Sequence, residues 1–156
     1  MPRAILFPKP PGSKAVRFAL DSAEARFLPP ADLAALRKGA AGAPVHVFGK
    51  RAKDKQKWKD VAPGDIVLFV GGGGVHEVAT VLHTAINRGI AMSYWPTESL
   101  QEPWDHLIFV ARLRPSDFPY ERLNTLAGYA RSYVPQGWRV MSKEHSEAVL
   151  RGLGLS

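Results

Sequence analysis

The chain has 156 residues, 46% of them hydrophobic and 22% charged, which fits one compact domain and excludes collagen, coiled coil and wholesale disorder. It contains no cysteine, so disulfides, thiol nucleophiles and thiolate metal sites are excluded as well. Lysine and arginine number 21 against 14 acidic residues, a net charge of +7, and the excess is concentrated in Lys50, Arg51, Lys53, Lys55, Lys57 and Lys59, which points to a polyanionic partner.

The N-terminal stretch MPRAILFPKPPGSKAV offers only a short apolar run, Ala4 to Phe7, before prolines interrupt it. A membrane span needs about 20 apolar residues, and a secretory signal also needs a longer run, so a cytoplasmic protein without a membrane partner is expected. Residues 1–15 read as an irregular arm ahead of a single domain over 16–156. Residues 31–38, bounded by Pro29-Pro30 and Gly39, predict a short helix, and Val45 to Gly49 a strand ended by glycine. The basic stretch that follows lacks core periodicity and reads as an exposed loop or helical turn. Pro63-Gly64-Asp65 turns the chain into Asp65–Val70, apolar enough to be buried on both faces.

Gly71 to Gly74 then links that strand to a β-branched partner, Val75–Thr84, as a hairpin. Ile86, Ile90 and Tyr94 fall four apart, the spacing of a helix face, and Trp95-Pro96 ends that helix. Leu107–Leu113 reads as another buried strand, Pro119–Ala127 as a helix closed by Gly128, and Gly137–Val140 as a last short strand. Ser142 caps a C-terminal helix running to about Gly152. Short strands with helices interspersed favour a curved sheet or small barrel over a doubly wound sheet.

Little in the sequence points to catalysis. The four glycines lack the Lys-Ser or Lys-Thr of a phosphate loop and lead into a strand, so a hairpin tip that approaches another group closely is expected. His46, His76, His83, His106 and His145 show no metal-ligand spacing, and no serine lies in a nucleophile motif. Asp65, at a turn, is expected to accept from backbone amides rather than to act as an acid or base. Of the four tryptophans, Trp95, Trp104 and Trp138 suit a core, while Trp58, flanked by Lys57 and Lys59, is the exposed candidate. An aromatic face beside lysines stacks on a base while the ammonium groups hold phosphates, each stacked base contributing about 1–3 kcal/mol.

The order of these motifs resembles the EVE-like branch of the PUA-like superfamily, which includes YTH-type readers and the DNA-recognition modules of modification-dependent restriction systems. The resemblance runs over residues 45–154 through VHVFG, KWKDVAPGDIVLFVGGGGVHEVATVLHTAINRGIAMSYWP, EPWDHLIFV and the closing LAGYARSYVPQGWRVMSKEHSEAVLRGLG. It implies an α+β fold, a PUA-like curved mixed sheet or small β-barrel with flanking helices, and a pocket for a flipped, often methylated, base. Phe48-Gly49 stands where the family often has Trp-Gly, Trp58 and Trp95 match recurrent tryptophans, and Gly64-Asp65 matches the turn. Phe48 in place of tryptophan and the long glycine run depart from the pattern.

From the residues and the resemblance together, the expected base pocket is Phe48, Gly49, Trp58, Tyr94 and Trp95. Lys50, Arg51, Lys53, Lys55, Lys57, Lys59, Arg131 and Arg139 would contact phosphates. The expected partner is double-stranded DNA carrying a modified base, with a nuclease or NTPase domain or subunit supplying cleavage, and neither cofactor nor metal is expected. The alternatives are an RNA-binding PUA-like domain and a small ASCH-like hydrolase or nuclease, the latter without an acid–metal cluster to support it.

Overall fold

The computed structural model describes residues 2–9 and 15–155. The chain divides into two compact units, one made of Met1–Ser13, Gly64–Thr80 and Leu113–Ser156, the other of Lys14–Pro63 and Val81–Arg112.

In the first unit, β1 (Ala4–Pro8) runs parallel to β4 (Ile66–Gly71) and antiparallel to β7 (Arg139–Val140). The segment expected to be an irregular arm is therefore an inner strand, with Ala4, Ile5 and Leu6 fully buried. Its end is fixed by polar contacts: the Arg3 amide donates to Asp65 Oδ1 at 2.9 Å, and the Ala4 amide donates to the buried Ser146 hydroxyl at 2.9 Å. Asp65 thus accepts from a backbone amide, as its turn position suggested.

β5 (Gly74–Ile86) returns antiparallel to β4 through Gly72 and Gly73, at φ 59° and 102°. Left-handed backbone at both turn residues matches the twist of a hairpin, and glycine adopts it without a Cβ penalty. The outer part of β6 (His106–Pro119) leads into α4 (Tyr120–Ala127), and α5 (Lys143–Gly152) starts at Ser142, whose hydroxyl accepts from the His145 amide at 3.2 Å. Leu6, Leu68, Val70 and Val78 pack with Leu123, Val149 and Leu150 into one core. Each fully buried side chain of this kind contributes about 1.5–3 kcal/mol.

In the second unit, β3 (Val45–Lys50) lies antiparallel to β2 (Val16–Phe18) on one side and to β6 on the other. Helix α1 (Pro30–Ala40) begins with proline at its first position and passes Gly39 before Ala41 turns left-handed at φ 47°. Helix α3 (Arg88–Tyr94) is capped by Asn87, whose side chain accepts from the Ile90 amide at 3.0 Å. Ile90 is buried and Tyr94 partly so, but Ile86, expected on the same helix face, ends β5 and is exposed. Phe18, Leu36, Val45, Val47, Leu107 and Phe109 form the core of this unit.

The strands hydrogen-bond in the open order β2-β3-β6-β5-β4-β1-β7. The expected mixed sheet with flanking helices is present, five α-helices being found among the described residues. The closed-barrel version of that expectation is corrected, because no pairing joins β2 to β7 among these residues.

Candidate nucleic-acid interface

The basic segment leaves β3 at Lys50 and folds as a single 3-10 turn, Ala52–Asp54, followed by α2 (Lys55–Lys59). The sequence expectation of an exposed helical turn is met: Lys53, Lys55, Lys57 and Lys59 are exposed, while Lys50 and Arg51 are half-buried. Arg51 lies 3.7 Å from Glu102, a loose pairing of two partly exposed groups. No carboxylate pairs with Lys53, Lys55 or Lys59 among the described residues. Burial pushes the Lys50 ammonium below the ordinary lysine range; Asp54 opposes that shift, and the charges of Arg51, Lys57 and Lys53 reinforce it.

Strand register divides the aromatics expected to form one pocket. Successive side chains of β3 point to opposite faces, and its burial alternates accordingly, with Val45, Val47 and Gly49 buried and His46, Phe48 and Lys50 half-exposed. Phe48 pairs with Ile108 and Lys50 with His106, so these four share one face. Trp58 belongs to that face too, since its ring meets His106 edge to face at 5.1 Å. Its indole N–H donates to the Leu107 carbonyl at 3.0 Å, so Trp58 is half-buried and anchored rather than the freely exposed ring the sequence suggested.

Gly49 looks the other way. A Cβ built there would lie 2.2 Å from the Trp104 carbonyl oxygen and 2.9 Å from Trp95 Cζ3, so only glycine admits this approach. Trp95 packs at 6.2 Å from Trp104 and at 5.9 Å from Tyr94, making a row of three rings of which Trp95 and Trp104 adjoin Gly49. The Tyr94 phenol is pushed above its ordinary range by burial and by the Glu24 carboxylate. Between Trp104 and the basic segment a cavity of about 180 Å³ opens, lined by Gly49, Lys50, Arg51, Lys53, Asp54 and Trp104.

Gly49, Lys50, Arg51 and Lys53 therefore share the cavity lining, Tyr94 and Trp95 lie outside that lining, and Phe48 and Trp58 belong to the other face of β3. Trp104, expected in the core, is half-buried and lines the cavity. Its place in the EPWDHLIFV segment of the resemblance was the available signal. Trp138 is buried, in keeping with a core residue. Arg131 and Arg139 belong to the first unit. Arg131 is 2.7 Å from Glu121, whereas Arg139 is held by Tyr129 and Tyr133.

Other groups considered from sequence have structural partners. His76 Nε2 lies 2.7 Å from the Lys9 carbonyl, and His83 Nε2 lies 2.7 Å from Asp32. At the glycine run, a Cβ on Gly74 would stand 2.1 Å from the Phe118 carbonyl oxygen, so the close approach there is by the chain's own backbone. No group of three His, Asp or Glu side chains among the described residues is arranged to hold a metal, and no helix there is long and apolar enough to cross a membrane.

The open mixed sheet flanked by helices agrees with the fold that the sequence resemblance implied. No protein-family model matches the sequence, and no curated protein matches it. In three dimensions the chain is similar to the N-terminal domain of McrB from Thermococcus gammatolerans, solved bound to m5C DNA, with a TM-score of 0.61 over 97% of each chain. The two are 15% identical, so what they share is the fold.

Proposed function

We propose that this chain is a reader of modified DNA that grips the sugar-phosphate backbone with the Lys50–Lys59 segment and accepts one extruded base at the end of β3. The observation that carries the proposal is the cavity of about 180 Å³ between Trp104 and the basic segment. A dry cavity of about 150 Å³ holds one benzene ring, so the space suits a single pyrimidine. A cavity lined by Trp104, Gly49 and three cations combines the residue types for stacking and phosphate contacts that handling one flipped base requires. The structural neighbour's capture with m5C DNA supports the choice of DNA and of a methylated base. Gly49 and Trp104 line the pocket, Trp95 packs beside Gly49 and against Trp104, and Tyr94 backs Trp95. Phe48 and Trp58 support β6 from the other face. A partner nuclease or NTPase domain or subunit supplies any cleavage that follows recognition.

The test is a binding panel at fixed salt, using duplexes that differ in one cytosine, 5-methylcytosine or 5-hydroxymethylcytosine, with matched RNA as competitor. We expect tighter binding to one modified duplex than to its unmodified twin, and loss of that preference in Trp104→Ala. Equal affinity for all duplexes, or preference for the RNA, overturns the proposal.

A further inference from the structure

We propose that the first unit carries its own phosphate receptor, built on Arg139 and clamped by two tyrosines, which holds a backbone phosphate of the bound nucleic acid; this rests on the nucleic-acid reading above. Arg139 is exposed on the short strand β7. Its guanidinium donates to the Tyr133 hydroxyl at 2.8 Å and to the Tyr129 hydroxyl at 3.3 Å. It also stands 5.8 Å and 5.6 Å from the centroids of the same two rings. The rings meet edge to face at 4.9 Å, and His145 packs against Tyr129 at 6.3 Å.

Two features separate this arginine from its neighbours. Its partners are neutral, so its orientation is fixed without its charge being cancelled, and no carboxylate pairs with it among the described residues. Arg131, by contrast, is paired with Glu121, and Arg151 with Glu147. A guanidinium has five N–H donors in a planar fork, and the two phenols leave three for an incoming oxyanion. The fork matches phosphate bidentately, and tyrosine hydroxyls also serve phosphate oxygens.

The clamp is also rigid before any ligand arrives. Asn124, fully buried, donates to the Arg131 carbonyl at 3.0 Å and to the Tyr133 carbonyl at 2.8 Å, while the Tyr129 amide donates to the Asn124 carbonyl at 2.9 Å. The loop that carries both tyrosines is thereby tied to α4. Side-chain freedom that binding would otherwise remove has already been lost on folding, which favours capture of a small oxyanion group.

The experiment measures the salt dependence of binding of the full chain to a duplex carrying one 5-methylcytosine, for wild type, Arg139→Ala, Arg151→Ala, Tyr129→Phe/Tyr133→Phe and Lys53→Ala/Lys57→Ala. Removing the cation from one phosphate lowers the slope of log K against log salt by about 0.9. Arg139→Ala is expected to lose one such increment and about tenfold in affinity, with its melting temperature confirming a folded protein. The tyrosine double variant keeps every charge, so it should weaken binding at unchanged slope. Arg151→Ala, which removes an arginine paired with Glu147, should change neither. An Arg139→Ala slope equal to wild type, or an equal loss from Arg151→Ala, overturns the clamp while the lysine variant still reports on the basic segment. No binding by wild type sinks the underlying reading instead.

Discussion

Replacing Gly49 by alanine probes the junction between β3 and the cavity more sharply than any removal of a ring. The added methyl would stand 2.2 Å from the Trp104 carbonyl oxygen, whereas real Cβ atoms do not come closer than 3.0 Å to such a neighbour. The obstacle is backbone, so either β3 or the strand-entry segment at Trp104 must move by at least 0.8 Å. Trp95 Cζ3, at 2.9 Å, blocks the easiest escape. Overpacking of this kind costs about 1–3 kcal/mol. For a chain of this length, each kcal/mol lowers the melting temperature by about 2–4 °C. Gly49 and Trp104 both line the cavity, so the same displacement should reshape its wall. Gly49→Ala is therefore expected to melt several degrees lower and, while still folded at room temperature, to discriminate poorly between modified and unmodified duplexes. Thermal denaturation and paired titrations check this. A variant with unchanged melting and unchanged discrimination would refute both the tight approach and its link to recognition.

Other outcomes follow from the same geometry. Lys53→Ala/Lys55→Ala/Lys57→Ala/Lys59→Ala should reduce the salt slope by up to about 0.9 for each phosphate left without its lysine, measured by titration at several salt concentrations, and should weaken modified and unmodified duplexes alike. Trp58→Phe keeps a ring against His106 but removes the bond to the Leu107 carbonyl. It should cost about 1 kcal/mol in denaturant melts and leave the ratio of modified to unmodified affinity unchanged. Leu6→Ala should destabilise by about 2–5 kcal/mol, since Leu6 lies in the core; an irregular arm would show almost none of that loss in the same melts. Lys50, whose folded pKa lies below the ordinary lysine value, should make affinity fall as pH rises through that lowered value, because phosphate binding favours the ammonium. Its contribution to stability has the opposite sense, destabilising below the lowered pKa and relaxing as pH rises toward the ordinary one. Lys50→Arg, charged throughout, should flatten the binding profile measured across that range.

Local signals carried much of the fold. The β4–β5 hairpin was legible because glycines sit where a two-residue turn needs left-handed backbone. The helices α1 and α5 were legible because proline and serine mark their starts. What escaped was non-local. β1 pairs with β4 across a separation of 62 residues and with β7 beyond that, and no local pattern announces such pairing. The outer half of β6 was missed because Arg112, Arg114, Pro115 and Asp117 interrupt any apolar alternation there. At the candidate site, composition revealed the cations and the tryptophans but not their sides. A single residue of register separates Phe48 from Gly49, and that residue decides which rings can share a cavity.

The burial of β1 bears on how the chain is made. Leaving the ribosome ahead of both its partners, Ala4–Pro8 must wait for β4 and then for β7 before its amides and apolar side chains are satisfied. Throughout that interval a short, uncharged, strand-forming stretch stays open to the wrong neighbours, such as another nascent copy. Arg3 and Lys9, one on each side of it, are well placed to act as charged gatekeepers during synthesis.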